Sequence, residues 1–250
     1  MNILASRRSF LVAPVIAVVC LALLAITWAA MEPHALRAAF DADGHSFFET
    51  LTLPFYAIIV PFVWLCCPFA GSKKRKALLC AGVSCVAAMA VVKELDLHLA
   101  AITAMYPDVV AAFKGTPFKM RFLTASGVPF GAKLVALAYF ALFFGVFAVM
   151  LAYFFVRLVK GFFKLHPVAW SMCFFGASGV MVAVCDRLPA WYRHAHGLAK
   201  EAVVGGPFGS FCTAFEEGGE MMIAIFAILA ILQAHAIYAP DRPHPGFDEL

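Results

Sequence analysis

The chain alternates between long apolar stretches and shorter polar connections. Six of the stretches reach the length of about 20 residues that a helix rising about 1.5 Å per residue needs to cross a hydrocarbon core about 30 Å thick. Each is apolar on all sides, whereas a strand of a membrane β-barrel would alternate polar and apolar residues. We therefore expect one domain, residues 1–250, that is an all-α bundle of six transmembrane helices at about residues 10–30, 50–70, 77–97, 132–156, 165–185 and 213–239.

The composition supports a membrane protein. Hydrophobic residues make up 64% of the chain and charged residues 14%, and the mean hydropathy is +0.89. Soluble domains are about half apolar and about a quarter charged, so this composition excludes a soluble enzyme, and the apolar runs also exclude a disordered chain. The net charge of +4 lies in short clusters between apolar runs, and no nucleic-acid motif is present. The expected partners are therefore membrane lipids and not nucleic acid.

The distribution of Lys and Arg predicts the orientation of the bundle. Dense basic clusters occur only before the first span, after the second and after the fourth, and these three places share one side of the membrane. Basic residues mark the cytoplasmic side, so both termini are expected inside and the connections 31–49, 98–131 and 186–212 outside. The basic residues concerned are Arg7, Arg8, Lys73, Lys74, Arg75, Lys76, Arg157, Lys160 and Lys164.

Two features near the outer side and the N-terminus leave alternatives open. SRRSFLV resembles a twin-arginine export motif, but the apolar stretch after it is longer than a usual signal-peptide core, which favours a retained membrane helix. Six of the eight cysteines lie within spans, where a thiol behaves as a small apolar residue. Cys185 and Cys212 lie near the outer surface, so a disulfide between them is open.

Acidic residues gather at one depth. Ionisable groups are costly in membrane helices, which makes them candidates for function. Counting about 1.5 Å per residue from the basic turns places the acids of three spans about 27 to 30 Å along their helices, at the outer boundary where the second span begins. The group consists of Glu49, Glu94, Asp96, His98, Asp186, Glu216, Glu217 and Glu220.

The spacing of these residues suggests a cation site. In FEEGGEM the three carboxylates fall within an arc of about 100°, and Glu94 and His98 form an i, i+4 pair such as two metal ligands on one helix face would form. Seven carboxylates face three nearby basic groups, so they should share protons or hold a cation. An imidazole among carboxylates favours a transition metal such as Zn as the cofactor.

Three functions are compatible with this pattern. The first is a metal-dependent hydrolase for a lipid or lipid-linked substrate, in which a bound water is activated by a general base. The second is a cation or proton transporter that uses the same acids. The third is a non-catalytic subunit, in a homo-oligomer or with a partner membrane protein. In this subunit the acids would pair with Lys93, Arg121 and Arg187 in a structural network. In the hydrolase, the metal ligands would be Glu94, His98, Asp186 and Glu220, the catalytic bases Glu216 and Glu217, and the substrate-binding residues Arg121, Arg187 and Glu49.

Two histidine pairs offer other chemistry. His194 and His196 follow the fifth span and could cover the acidic group, although an HxH in a loop is more often solvated surface. His166 and His235 lie at the basic ends of their spans. A haem between them is disfavoured because neither lies deep within its span and no second facing pair exists.

The short motifs around the acids resemble those of a group of bacterial polytopic inner-membrane proteins of unknown activity. The motifs are DGHSFFETLT, KELDLH, CDRLP and FEEGGEM, and the resemblance covers about residues 43 to 235. It implies a multi-pass protein of the bacterial inner membrane. It implies architecture only and adds no chemistry.

Overall fold

The structure is a computed structural model that describes residues 4, 6–40, 46–67, 69, 72–112 and 120–238. These residues form α-helices, with a short 3-10 helix at Arg7–Leu11 and a π-helical segment at Ala141–Gly145, and they contain no strand. This confirms the all-α prediction. In chain order the helices are α1 (Val12–Ala30), α2 (Pro33–Phe40), α3 (Phe47–Cys66), α4 (Lys73–Glu94), α5 (Leu97–Met105), α6 (Pro107–Ala112), α7 (Met120–Thr124), α8 (Phe130–Phe140), α9 (Val146–Phe163), α10 (Pro167–His196), α11 (Lys200–Val204) and α12 (Pro207–Tyr238).

Five helices within the described ranges are long and apolar enough to cross a membrane. They are Arg8–Ala30, Lys73–Glu94, Phe130–Phe163, Pro167–His196 and Pro207–Tyr238. The second predicted span corresponds to α3, which has 20 residues and contains two prolines, Pro54 and Pro61. Its apolar part, Thr50–Cys66, is shorter than the other five. A membrane-embedded helical protein is thus supported, and the sixth span and the side of the termini stay predictions.

Helix α12 lies at the centre of the bundle. It packs along much of its length against α10 and also contacts α1, α2 and α3. Half of the residues in its most apolar stretch are buried, whereas 6% are buried in the most apolar stretch of the continuous helix that α8 and α9 form. That outer helix therefore leaves most of its side chains to the surroundings, whereas α12 carries the residues around which the others pack.

Two adjacent glycines let α12 approach its neighbours closely. A Cβ on Gly218 would collide with the side chain of Leu24 on α1, and a Cβ on Gly219 would lie 2.7 Å from Val182 Cγ2 and 2.9 Å from Met181 Cε on α10. Both glycines lie between the acids of FEEGGEM, so the close packing holds those acids at a fixed position between three helices.

A buried amide joins the C-terminal part of α12 to two other segments. The side chain of Gln233 is fully buried. Its Oε1 accepts a hydrogen bond from Ser171 Oγ at 2.7 Å, and its Nε2 donates to the backbone oxygen of Ser9 at 3.1 Å. On the same side of the bundle, Ala13 and Ala17 of α1 are buried. The first helix is therefore packed into the bundle.

The last two long helices extend well beyond the predicted spans. The predicted boundaries at residues 185 and 213 follow the apolar residues, but α10 continues to His196 and α12 begins at Pro207. Helical hydrogen bonds do not require apolar side chains, so a helix can continue past the apolar residues. The residue after the last turn of α10 is Gly197, whose φ of 63° is the left-handed conformation that glycine favours after a helix. Much of the predicted outer loop is therefore helical.

The connection between the third and fourth spans is partly folded. The described residues of this connection form the short helices α5, α6 and α7. Residues 113–119 lie outside the described part. The short helices share a small apolar core with the start of α8, made by Ile102, Val110, Phe122, Val128, Ala132 and Ala136.

Candidate functional site

A lysine joins acids from two helices at one end of the bundle. We call this the acidic end, and the opposite end, with residues 73–76 and 157–164, the basic end. Lys93, in the last turn of α4, donates from Nζ to Glu94 Oε1 at 3.1 Å. The same nitrogen donates to both carboxylate oxygens of Glu220 on α12, at 2.6 and 2.8 Å. Glu94 and Glu220 therefore share one ammonium group, and their convergence agrees with the depth that the sequence predicts for both.

The carboxylate side chains of this site are less exposed than the lysine side chain. The side chain of Glu94 is 5% exposed and that of Glu220 is 12% exposed, whereas the side chain of Lys93 is 47% exposed. The lysine stem therefore runs along the surface and turns its charge inward. Ionic attraction is stronger where water is excluded, so the pair Lys93–Glu220 is stronger than a surface pair of the same length.

A third carboxylate lies next to this pair. Glu217 precedes Glu220 by three residues on α12, which places both on neighbouring parts of one helix face. It lies close enough to Glu220, Lys93 and Glu94 to interact with their charges. We call these four residues the carboxylate–lysine cluster: Lys93, Glu94, Glu217 and Glu220. The cluster contains three carboxylates and one ammonium.

Glu216 lies on another part of α12. It interacts electrostatically with the thiols of Cys185 on α10 and Cys212 on α12. Both thiols are buried and free, so the structure contains no disulfide between them. Glu216 also interacts with the charge of Glu217. The three glutamates of FEEGGEM are therefore neighbours, and Glu217 and Glu220 interact with Lys93.

Two tyrosines that the sequence did not single out complete the surroundings. Tyr56 of α3 is buried, and its hydroxyl donates to the backbone oxygen of Glu220 at 3.0 Å. Tyr139, near the end of α8, interacts with the charges of Lys93 and Glu94. Its ring stacks on Phe143 in the π-helical segment, with centroids 6.2 Å apart and an interplanar angle of 5°. The only sequence signal for either residue was a phenol within an otherwise apolar span.

The local pairing around Lys93 differs from the prediction. On a continuous helix, Lys93 and Asp96 would form an i, i+3 pair, and Glu94 and His98 would form the i, i+4 pair that the sequence predicts. Instead α4 ends at Glu94, and Asp96 has a left-handed backbone with φ of 50° before α5 begins. The break removes the continuous helix on which both pairs depended. It leaves Lys93 directed towards α12.

Asp186 does not join the cluster. Its side chain is 54% exposed, and Oδ2 pairs with Nε of the adjacent Arg187 at 3.0 Å. The preceding residue, Cys185, is buried. Successive residues on a helix are rotated by about 100°, so Asp186 points away from the face that Cys185 buries.

A metal site gains no support from the residues that the structure describes. Among them, no group of three or more His, Cys, Asp or Glu side chains is arranged to hold a metal ion. The side chains of Glu49, His98 and Arg121 lie outside the described part of the structure. The metal role of Glu94, His98, Asp186 and Glu220, the catalytic role of Glu216 and Glu217, and the substrate role of Arg121, Arg187 and Glu49 stay predictions.

The two histidines considered for haem make separate contacts at the basic end. His166 Nε2 lies 2.9 Å from the hydroxyl of Tyr238, and His235 Nδ1 lies 2.8 Å from the backbone oxygen of Cys66. Burial lowers the pKa of His166 from its ordinary 6.5 to about 4. Each imidazole thus has a protein partner of its own.

Comparison with known proteins adds nothing to this geometry. No protein-family model, curated protein or solved structure matches the chain. The functional argument therefore depends on the carboxylate–lysine cluster itself.

Proposed function

We propose that the chain is a polytopic integral membrane protein whose carboxylate–lysine cluster binds and releases a proton at the acidic end of the bundle. The observation that carries the proposal is the single ammonium of Lys93 held between Glu94 and Glu220, with a third carboxylate next to them. A site that binds a cation or proton is what a cation or proton transporter needs, and such a transporter is the second of the three functions that the sequence allows.

The charge balance favours an exchangeable proton. Three carboxylates beside one ammonium carry a surplus of negative charge, and two unit charges 4 Å apart repel by about 4 kcal/mol at an effective dielectric constant of about 20. Carboxylates held close together relieve this repulsion by sharing a proton or by taking up a cation. The ammonium already lies between Glu94 and Glu220, which leaves Glu217 as the residue that takes the proton.

The proposed orientation supplies the protons. We propose that α3 also crosses the membrane, in six spans with both termini in the cytoplasm of a bacterium, so that the acidic end faces the periplasm. The Lys93 side chain is more exposed than those of Glu94 and Glu220, and it links these buried carboxylates to the surface. Protonation of the cluster would then follow the pH of the outer compartment.

Infrared difference spectroscopy tests this proposal directly. The purified protein is shifted between about pH 6 and about pH 9, above the range near pH 4 in which exposed carboxylates titrate, and the carbonyl band of protonated carboxylic acids is recorded. We expect a band that is lost in Glu217→Gln while thermal stability changes little, because the hydrogen bonds of Lys93 to Glu94 and Glu220 stay in place. Glu201→Gln, which removes an exposed carboxylate on α11, is the matched control and should leave the band unchanged. A wild-type protein without the band, or a band that Glu217→Gln leaves intact, would contradict the proposal.

The structural network is the second candidate, and the direct contact between α4 and α12 through Lys93 favours it. A thermodynamic cycle measures that contact. Lys93→Met leaves two buried carboxylates without their cation and should cost about 2 kcal/mol of stability, between the values for exposed and buried ion pairs. Glu220→Gln should also destabilise, and the double variant should lose less than the sum of the single losses. The control is Lys73→Met, an exposed lysine of the same helix.

The two measurements separate the candidates. A non-additive cycle together with the infrared band means that the cluster both joins the helices and exchanges a proton. A non-additive cycle without the band leaves only the structural role. An additive cycle would show that Lys93 and Glu220 do not stabilise one another.

A further inference from the structure

We propose that Cys185 of α10 and Cys212 of α12 are a modification site at which a disulfide bond joins the two helices. The structure contains both cysteines as free thiols, which is the reduced form of the pair. The proposal concerns the contact between these two helices. It does not depend on the binding of a proton by the carboxylate–lysine cluster.

Contacts on both sides of the pair hold α10 and α12 side by side. On one side, the backbone oxygen of Ser178 lies 3.7 Å from the position that a Cβ on Gly219 would occupy. On the other side, the rings of Tyr192 and Phe208 have centroids 4.6 Å apart. Both cysteines lie between these two contacts along their helices, so the helices are also adjacent at the level of the thiols.

The spacing along each helix directs both thiols to the shared interface. Cys185 follows Ser178 by seven residues, and Cys212 precedes Gly219 by seven residues. Seven residues make about two turns of an α-helix and return to nearly the same face. The contacting residue numbers rise along α10 as they fall along α12, so the helices are antiparallel and both steps lead in one direction. The two cysteines therefore stand to each other as Ser178 and Gly219 do, two turns further along.

Burial and electrostatics agree with this placement. Cys185 is 5% exposed and Cys212 is 1% exposed, and the two thiols interact electrostatically with each other. A disulfide needs Cα atoms about 4.4 to 6.8 Å apart. Small residues allow the backbones of two helices to approach closely, and the contact at Gly219 shows such an approach between α10 and α12.

The bond would form by exchange with an external disulfide. One cysteine thiolate attacks a sulfur of that disulfide, which releases one thiolate and leaves a mixed disulfide on the protein. The second cysteine thiolate attacks the protein sulfur of the mixed disulfide and releases the other half. The two cysteines lose two electrons, the external disulfide is reduced to two thiols, and these thiols take up the two protons.

The position of the pair determines where and when this exchange takes place. Disulfides persist in oxidising compartments such as the bacterial periplasm, so in cells the bond requires the orientation proposed above. Buried thiols react slowly. We therefore expect the bond to form before the two helices pack, or when their ends open, and to resist reduction afterwards.

Equilibration with glutathione tests the pair. The purified full-length protein is incubated with reduced and oxidised glutathione, in a ratio that keeps isolated thiols mainly reduced, until its state no longer changes. It is then unfolded and treated with N-ethylmaleimide, and mass spectrometry of its peptides gives the labelled fraction of each cysteine. We expect Cys185 and Cys212 to lose their labels together and to appear in one cross-linked peptide pair, because facing thiols have a high effective concentration.

Single variants and an internal control separate this pair from general oxidation. Cys212→Ala should restore the label on Cys185, and Cys185→Ala should restore the label on Cys212, because each variant removes the partner. Cys173, an exposed cysteine of the same helix, should stay labelled throughout. Thermal unfolding under reducing conditions shows whether each variant is folded, and the cross-linked peptides of the wild type do not depend on any variant.

Three results would overturn the proposal. They are full labelling of both cysteines in the equilibrated wild type, glutathione attached to either cysteine in place of the cross-link, and a label on Cys185 that stays absent in Cys212→Ala. Labelling of protein taken directly from acid-quenched cells tests the orientation separately. Full labelling from cells, combined with the cross-link in glutathione, would confirm the thiol pair and contradict the proposed orientation.

Discussion

At the scale of single residues, the position of one ammonium group decides how the acids are used. The sequence predicted that Glu94 and Glu220 converge, because both acids lie at the same distance along their helices. It did not predict that Lys93 would lie between them, since Asp96 was an equally good partner on a continuous helix. Lys93 pairs with Glu220 because the left-handed backbone at Asp96 ends the helix there. The residue types around Asp96 do not by themselves reveal this break in the helix.

His166 provides a prediction of pH dependence at the same scale. Burial lowers its pKa from 6.5 to about 4, and its position directly before α10 also disfavours a positive charge. Between these two values the unfolded chain binds more protons than the folded chain, so stability should fall as the pH decreases from about 6.5 to about 4. Above pH 6.5 this residue contributes no further change.

The measurement is the thermal midpoint at pH 7 and pH 5 in detergent. His166→Gln should show a smaller loss between the two values than the wild type, because it lacks the imidazole that must be protonated. The control is His194→Gln, which changes an exposed histidine near the other end of α10. An identical pH dependence in the wild type and His166→Gln would show that His166 is not responsible.

At the scale of helices, the sequence predicted which long helices exist better than it predicted where they begin and end. Each predicted span has a helical counterpart, because about 20 consecutive apolar residues can satisfy their backbone in a membrane only as a helix or in a closed barrel. The end of α10 was predicted too early and the start of α12 too late, since the helical hydrogen bonds extend beyond the apolar residues. The end of α4 depends on the backbone at Asp96, which the apolar pattern does not specify.

Close packing of α12 gives a prediction at this scale. Gly219→Ala places a Cβ within 2.7 Å of Val182 Cγ2, so the α10–α12 contact must open or its side chains must move. Overpacking of this kind costs about 1 to 3 kcal/mol. Gly179→Ala on α10 is the control, because its Cβ would meet no atom within 4 Å.

Both substitutions are compared by thermal unfolding in the same detergent. Since alanine favours a helix over glycine by about 1 kcal/mol, Gly179→Ala should be neutral or stabilising, whereas Gly219→Ala should destabilise. Equal effects would mean that α10 and α12 are not held in close contact at Gly219.

At the scale of the whole molecule, the number of crossings depends on α3. Five helices meet the length of a span, and α3 is the shorter apolar helix that would make the sixth. With six crossings both termini lie on one side, and with five they lie on opposite sides. Epitope tags inserted after Glu32 and after Ser72 flank α3 and can be tested for accessibility in intact cells and in opened cells.

We expect the tag after Glu32 to be accessible in intact cells and the tag after Ser72 only after the cells are opened. This result follows from the dense basic turn at residues 73–76, which marks the cytoplasmic side. The termini provide the internal check, since both should require opened cells. Two tags accessible from the same side would show that α3 does not cross.

The long side chain of Lys93 also determines which ions can compete for the carboxylates. The ammonium is tethered to the backbone next to Glu94 and Glu220, so it acts like a ligand at an effective concentration of millimolar or higher. A dissolved monovalent ion must displace the Lys93 ammonium, which cannot diffuse away. A proton instead binds covalently to a carboxylate oxygen and does not need the ammonium to leave. If the cluster exchanges a cation as proposed, the tether would favour protons over sodium and potassium without any size filter.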